Sequence, residues 1–311
     1  MRVAIVQKPP VLLDREASLA VAVAAVHDAA QSGAQLVVFP ETFLPGYPVW
    51  IWRLRPGPDA GLTARIHAQL LANAIDLSGN DLAPLQKAAL QHKVAIVCGI
   101  NERDHSFSRG TLYNTVVLIG PDGALLNRHR KLMPTNPERM VWGMGDATGL
   151  NVVETPVGRV GTLICWENYM PLSRYALYAQ GVEIYVAPTY DSGERWLASM
   201  QHIAREGGCW VLGSGFAMRG RDIPDAFPGK DQLFPDPEEW INPGDSVIVA
   251  PGGKIVAGPL RQEFGMLTAE IDLAECGAAR RTLDTAGHYA RPDIFQLHID
   301  RRPLKPVAFD S

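Results

Sequence analysis

Three segments of this chain share one design: an apolar run, a turn built on proline and glycine, and a second apolar or strand-like run. They are TVVLIGPDGALLNRHRK (115–131), NVVETPVGRVGTLICW (151–166) and DSVIVAPGGKIVAGP (245–259). Pro-Asp-Gly, Pro-Val-Gly and Pro-Gly-Gly between β-prone runs read as tight turns, so each segment is a hairpin. Elsewhere short β-branched runs alternate with longer amphipathic ones. RVAIVQ (2–7), LVVFPE (36–41), VAIVCGI (94–100), EIYVAP (183–188) and WVLGSG (210–215) read as strands. Helices are expected over 15–31, about 62–91, 171–180, 193–207 and near 273–284. Antiparallel hairpins set among strand–helix units exclude a purely parallel doubly wound sheet and call for an α/β protein with mixed sheets.

No linker divides the chain, so residues 1–290 read as one domain and 291–311, with several prolines and weak periodicity, as a tail that packs on something else. Residues 216–244, rich in Pro, Gly and Asp, read as a long irregular loop with a functional or interfacial role.

Composition narrows the function. A net charge of -4 and no basic run longer than Arg128-His129-Arg130-Lys131 leave no field to hold nucleic acid. The apolar run at the N-terminus is too short for a signal-peptide core, and no stretch is long enough to span a bilayer. Cys98, Cys165, Cys209 and Cys276 stand far apart without CxxC spacing, which points to a reduced cytoplasm. HxH, HxxxH and HExxH pairs and phosphate-binding glycine loops are absent, so neither a metal nor a nucleotide cofactor is expected.

Three polar residues stop apolar strands: Glu41 in LVVFPE, Lys131 in HRKLMP and Cys165 in VGTLIC. Taken singly, each has a structural reading: a solvated or capping glutamate, a surface lysine, a small buried cysteine. Together they form a reactive set at the ends of three neighbouring strands, where α/β proteins build their sites. An ammonium beside a thiol raises its thiolate fraction, and a carboxylate in reach can take and return its proton.

FPETFLPGYP (39–48), HRKLMPTNPERMVWGMGD (129–146) and CWENYMPL (165–172) resemble, in order, the three signature blocks of the nitrilase branch of the carbon–nitrogen hydrolase superfamily. The resemblance runs from residue 2 to about residue 290 and includes APTYDSGERWLASMQHIAREGGCWVLG (187–213). It implies a four-layer αββα sandwich, no cofactor, and a catalytic triad carried by Glu41, Lys131 and Cys165. It further implies a second glutamate, Glu138, that orients Lys131 and the reacting group. CWE after the nucleophile is similar to nitrilases, which act on small nitriles. An aliphatic amidase or carbamoylase of the same superfamily is the alternative, followed by a cyanide-hydrolysing enzyme or a non-catalytic scaffold; a scaffold predicts a lost triad residue, and none is lost.

Pocket walls are mostly apolar and aromatic, which makes Tyr47, Trp142, Trp166 and Tyr190 candidate substrate contacts. His129 and His202 suggest a Cys-His protease only superficially: no thiol-protease signature surrounds them, and His202 reads as a packed or hydrogen-bonded structural histidine. Helices after Cys165 and the tail offer surface that one domain need not bury. Relatives pair through such helices, so a homodimer or larger helical homo-oligomer is expected.

Overall fold

The computed structural model describes residues 1–307. Strands β1 (Arg2–Gln7), β2 (Ala34–Val38), β3 (Ala95–Arg103), β4 (Leu112–Ile119) and β5 (Leu125–Arg130) come first. They are followed by β6 (Val152–Thr155), β7 (Gly158–Thr162), β8 (Ile184–Thr189) and β9 (Trp210–Gly215). The last are β10 (Ala217–Arg219), β11 (Trp240–Val249), β12 (Ile255–Arg261) and β13 (Gly265–Glu270). The helices are α1 (Arg15–Gln31), α2 (Ala60–Asn73), α3 (Ala83–His92), α4 (Pro171–Tyr178), α5 (Glu194–Gly207), α6 (Lys230–Leu233) and α7 (Ala274–Thr282).

One sheet has the order β13-β1-β2-β3-β4-β5; the other runs β10-β11-β9-β8-β7-β6, with β12 on β11. Both are mixed: β1, β2 and β3 are parallel, as are β7, β8 and β9, and the three hairpins are β4–β5, β6–β7 and β11–β12. Because β3, β4 and β5 alternate in direction, β5 runs the same way as β2. The C-terminal ends of β2, β3 and β5 therefore share one edge.

The two-residue side-chain period sorts each strand into two buried faces. Val3, Ile5, Leu36, Val38 and Val97 meet Val160, Ile184, Val186 and Leu212 between the sheets. Their neighbours Ala4, Val6, Val37 and Ile96 face Ala22, Val26 and Ala29 of α1 and Leu85 of α3. On the far side Tyr185, Val211 and Val249 face Leu177 of α4 and Trp196, Met200 and Ile203 of α5. The result is the αββα sandwich.

Two sequence expectations are corrected. The helical region at 62–91 is split into α2 and α3, because Asp76, Ser78 and Asp81 bond nearby backbone and one another and stabilise a turn in place of helix. Residues 216–244 are only partly irregular: they hold β10, α6 and the start of β11, elements too short or too rich in Pro and Gly to show a period.

Of the tail, residues 308–311 lie outside the described residues. Before them, the Arg301 guanidinium donates to the Leu150 carbonyl at 3.1 Å and the Leu304 N–H to Asp146 at 3.0 Å, so this segment runs back over the chain's own surface. Among the described residues, no helix is long and apolar enough to cross a membrane.

Candidate active site

Glu41, Lys131 and Cys165 do not stand at the ends of neighbouring strands. β2 and β5 have β3 and β4 between them, and β7 belongs to the other sheet. β2 ends at Val38 and β7 at Thr162, so Glu41 and Cys165 sit on the loops that follow. What brings the three together is the stacking of two sheets whose parallel strands end at the same edge.

Each side chain is held from several directions. Glu41 is fully buried; its Oε1 accepts from Asn114 Nδ2 at 2.6 Å and Lys131 Nζ at 2.8 Å, and its Oε2 from the Tyr190 N–H at 2.7 Å. The backbone of Lys131 donates to the Asn114 carbonyl and accepts from Gly145, which leaves Nζ aimed inward. Glu138 lies in a 3₁₀ turn, Asn136–Met140, that it helps to cap by accepting the Thr135 N–H at 2.7 Å. The same carboxylate accepts from Lys131 Nζ at 2.7 Å and from the Tyr47 hydroxyl at 2.7 Å. Far from a surface glutamate, it is buried.

Cys165 opens a second 3₁₀ turn, Cys165–Tyr169, with φ +52°, a left-handed conformation uncommon for a residue with a Cβ. Such strain is retained at functional sites when the surrounding structure enforces it. Its sulfur and one carboxylate oxygen each of Glu41 and Glu138 lie within 4.8 Å of one another. That spacing could suit a cation, but the Lys131 ammonium already bridges both carboxylates and supplies the positive charge.

Electrostatics qualify one expectation. Burial pushes the Cys165 thiol up, Glu41 and Glu138 push it further, and Lys131 only partly offsets them. Burial and two carboxylates together outweigh one ammonium, so the thiol sits above its ordinary value and Lys131 limits the rise. Burial also raises Glu41, against the pull of Lys131, which makes it a stronger base than a solvated carboxylate. Burial alone would lower Lys131; Glu41, Cys165 and Glu138 more than reverse that and keep it an ammonium.

A cavity of about 300 Å³ opens over the sulfur, lined by Tyr47, Trp52, Glu138, Trp166, Tyr190 and Asn242 among others. Tyr47 and Tyr190 stack with ring centroids 3.9 Å apart. Trp166 is half exposed, with its indole N–H on Asp191 at 2.9 Å. Trp142 is the exception among the expected contacts: it is buried behind Tyr47, edge-on to that ring, and its indole N–H binds Asn101 at 2.9 Å. Asn101 in turn donates to the Gly46 carbonyl, so Trp142 braces the loop carrying Tyr47 and does not reach the cavity. His129 is buried on Glu167, whereas His202 is mostly exposed on α5, with its Nε2 3.6 Å from Glu206.

Sequence reading missed Asn114, Trp52 and Asn242. Asn114 had a signal: it interrupts an apolar strand and pairs directly with another buried asparagine, Asn101, on β3. Trp52 closes a short 3₁₀ turn, Val49–Trp52, and Asn242 stands near the start of β11, and no local period announces either.

A family model for carbon–nitrogen hydrolases matches residues 2–281. The chain belongs to that family. Among curated relatives of this carbon–nitrogen hydrolase, the bifunctional nitrilase/nitrile hydratase NIT4A of Lupinus angustifolius is 42% identical over 100% of this chain and 89% of its own length. Nitrilase 2 of Arabidopsis thaliana is 41% identical, covering 100% and 92%. Among solved structures, Saccharomyces cerevisiae Nit3, a member of the nitrilase superfamily, superposes with a TM-score of 0.72 at 21% identity, over 93% of this chain and 96% of that one. The last likeness concerns the fold; the first two place the chain beside nitrilases.

Proposed function

We propose that this protein is a nitrilase that hydrolyses a small organic nitrile to the carboxylic acid and ammonia. The observation that carries the reading is the enclosed Glu41–Lys131–Glu138 cluster set against the Cys165 sulfur at the floor of an aromatic cavity. Full-length likeness to named nitrilases supports nitriles over amides.

Glu41 takes the thiol proton as sulfur adds to the nitrile carbon, and a proton passes to the nitrogen, giving a covalent thioimidate. Water activated by Glu41 adds to this carbon; the C–N bond breaks, ammonia leaves, and a thioester remains. A second water releases the acid and restores the thiol. Lys131 and the Trp166 backbone N–H stabilise charge as it develops, and losing one such donor typically costs about 10²–10³ in rate.

The test is ammonia release across aliphatic, arylaliphatic and aromatic nitriles beside the matching amides. Hydrolysis of amides well above every nitrile replaces this reading with an amidase. We further propose assembly into a homodimer or a larger helical oligomer through the face where Leu172 of α4 and Ile294 and Phe295 of the tail are exposed. Light scattering showing a monomer at working concentration would overturn it.

A further inference from the structure

Glu167, two residues past the nucleophile, is fully buried, yet the chemistry above gives it no part. Its carboxylate reaches both sheets. Oε2 accepts the N–H of Ile164 at 2.6 Å, and Oε1 accepts the N–H of Leu132 at 2.6 Å. The ring of His129, also fully buried, brings Nε2 to 3.0 and 3.1 Å of the two oxygens.

Ile164 is the residue before Cys165, and Leu132 is the residue after Lys131. One carboxylate thus joins the backbone beside the nucleophile, which follows β7, to the backbone beside the lysine, which follows β5 in the opposite sheet. Val116, Val160 and Ile164 belong to the apolar layer between the sheets, so without the carboxylate the buried Ile164 N–H and the half-buried Leu132 N–H would both lose their acceptor. His129 Nε2 faces a pair of acceptors and therefore turns its hydrogen toward them. Its Nδ1 is buried with no hydrogen-bond partner among the described residues, so the ring's polar contact there is the one to Glu167.

We propose that Glu167 is a positioning residue: it sets the separation of Cys165 and Lys131 by clamping the peptide next to each, with His129 holding the clamp in register. The turnover part of its test rests on the nitrilase reading; the alkylation part does not.

Glu167→Gln keeps the shape but offers one acceptor oxygen where two are needed, so one of the two N–H groups meets an NH₂ donor instead. A displacement of an ångström in such a site costs about 100-fold, so kcat should fall by that order with KM within about threefold. Alkylation of Cys165 by iodoacetamide, followed by mass spectrometry of its peptide, should slow in the same variant while far-UV circular dichroism stays unchanged. A role in stability alone would lower the melting temperature and leave kcat per alkylatable site as in wild type.

His129→Leu removes the donor and leaves Glu167 in place; His129→Gln restores an N–H. The leucine variant should lose roughly tenfold in kcat and in alkylation rate, and the glutamine variant should recover most of it. A folded Glu167→Gln protein with kcat and alkylation within about twofold of wild type overturns the proposal. If that variant does not fold, wild-type alkylation in His129→Leu overturns it instead. A wild type that turns over no nitrile, but whose alkylation is still slowed by these changes, would sink the nitrilase reading and leave the clamp standing.

Discussion

Gly99 of β3 lies flat against the peptide of Glu41: a Cβ on it would stand 2.3 Å from the Pro40 carbonyl oxygen and the Thr42 nitrogen, and 2.8 Å from the Glu41 carbonyl carbon. Every one of those atoms is backbone, so no side chain can swing away. The close approach is what lets the loop after β2 cross β3 and aim Glu41 at Lys131. Gly99→Ala should therefore lift that loop, costing about 1–3 kcal/mol of stability. Turnover per folded molecule should fall much further than the melting temperature suggests. Normal ammonia release from a folded Gly99→Ala protein would show that the loop has another seat.

Cys165→Ala should leave the fold intact and abolish turnover. Cys98, Cys209 and Cys276 are buried in apolar layers, where burial pushes each thiol up. Their alanine variants should cost about 1 kcal/mol each and keep turnover. The contrast is read by melting curves and ammonia release on the four single variants.

The raised pKa of Glu41 ties activity to stability with opposite signs. Burial lifts it above the ordinary value of 4.5, so the folded state keeps a proton that the unfolded chain releases. The stability this provides is complete below 4.5 and is lost as pH rises through the folded value. Turnover needs the ionised base and should appear across the same interval. Glu41→Gln cannot titrate and should lose about 10²–10⁴ in kcat. The melting temperature of wild type minus that of Glu41→Gln should decline as pH rises from 4.5; a flat difference would mean that Glu41 titrates as a solvated carboxylate.

Glu138 bears on which product leaves. The tetrahedral intermediate can expel ammonia, giving the thioester and then the acid, or expel the thiolate, giving an amide. Glu138 holds Lys131 at 2.7 Å and takes the Tyr47 hydroxyl, and on the proposed mechanism its part is to help keep the departing nitrogen protonated beside Glu41. Acid should be the main product of wild type. Glu138→Gln should raise the amide share several-fold while slowing turnover about tenfold or more. Chromatography of the products reads both, and an unchanged ratio would remove Glu138 from that step.

Much of this was legible from local patterns. TVVLIGPDGALLNRHRK and its two counterparts form hairpins where turn chemistry placed them, and RVAIVQ and EIYVAP are strands as read. The ordered motifs pointed to Glu41, Lys131, Glu138 and Cys165, which do meet in space. Legibility failed where a residue's part depends on a distant neighbour. Trp142 looked like a cavity wall because it is aromatic and near Glu138, but its partner is Asn101. Glu167 looked like part of a motif, and only its bond to Leu132 shows that it spans two sheets.

The sequence by itself determined most of the longer strands and helices, the hairpin turns and the chemical types available, because side-chain period and turn preference act within a few residues. It did not determine that β2, β5 and β7 would deliver their loops to one point. The tertiary structure decided that, since strand order and the stacking of two sheets follow from which buried faces fit one another across the whole chain. The same packing buries these side chains together, and so raises the Cys165 thiol and the Glu41 carboxyl through burial and raises Lys131 through the acidic groups beside it.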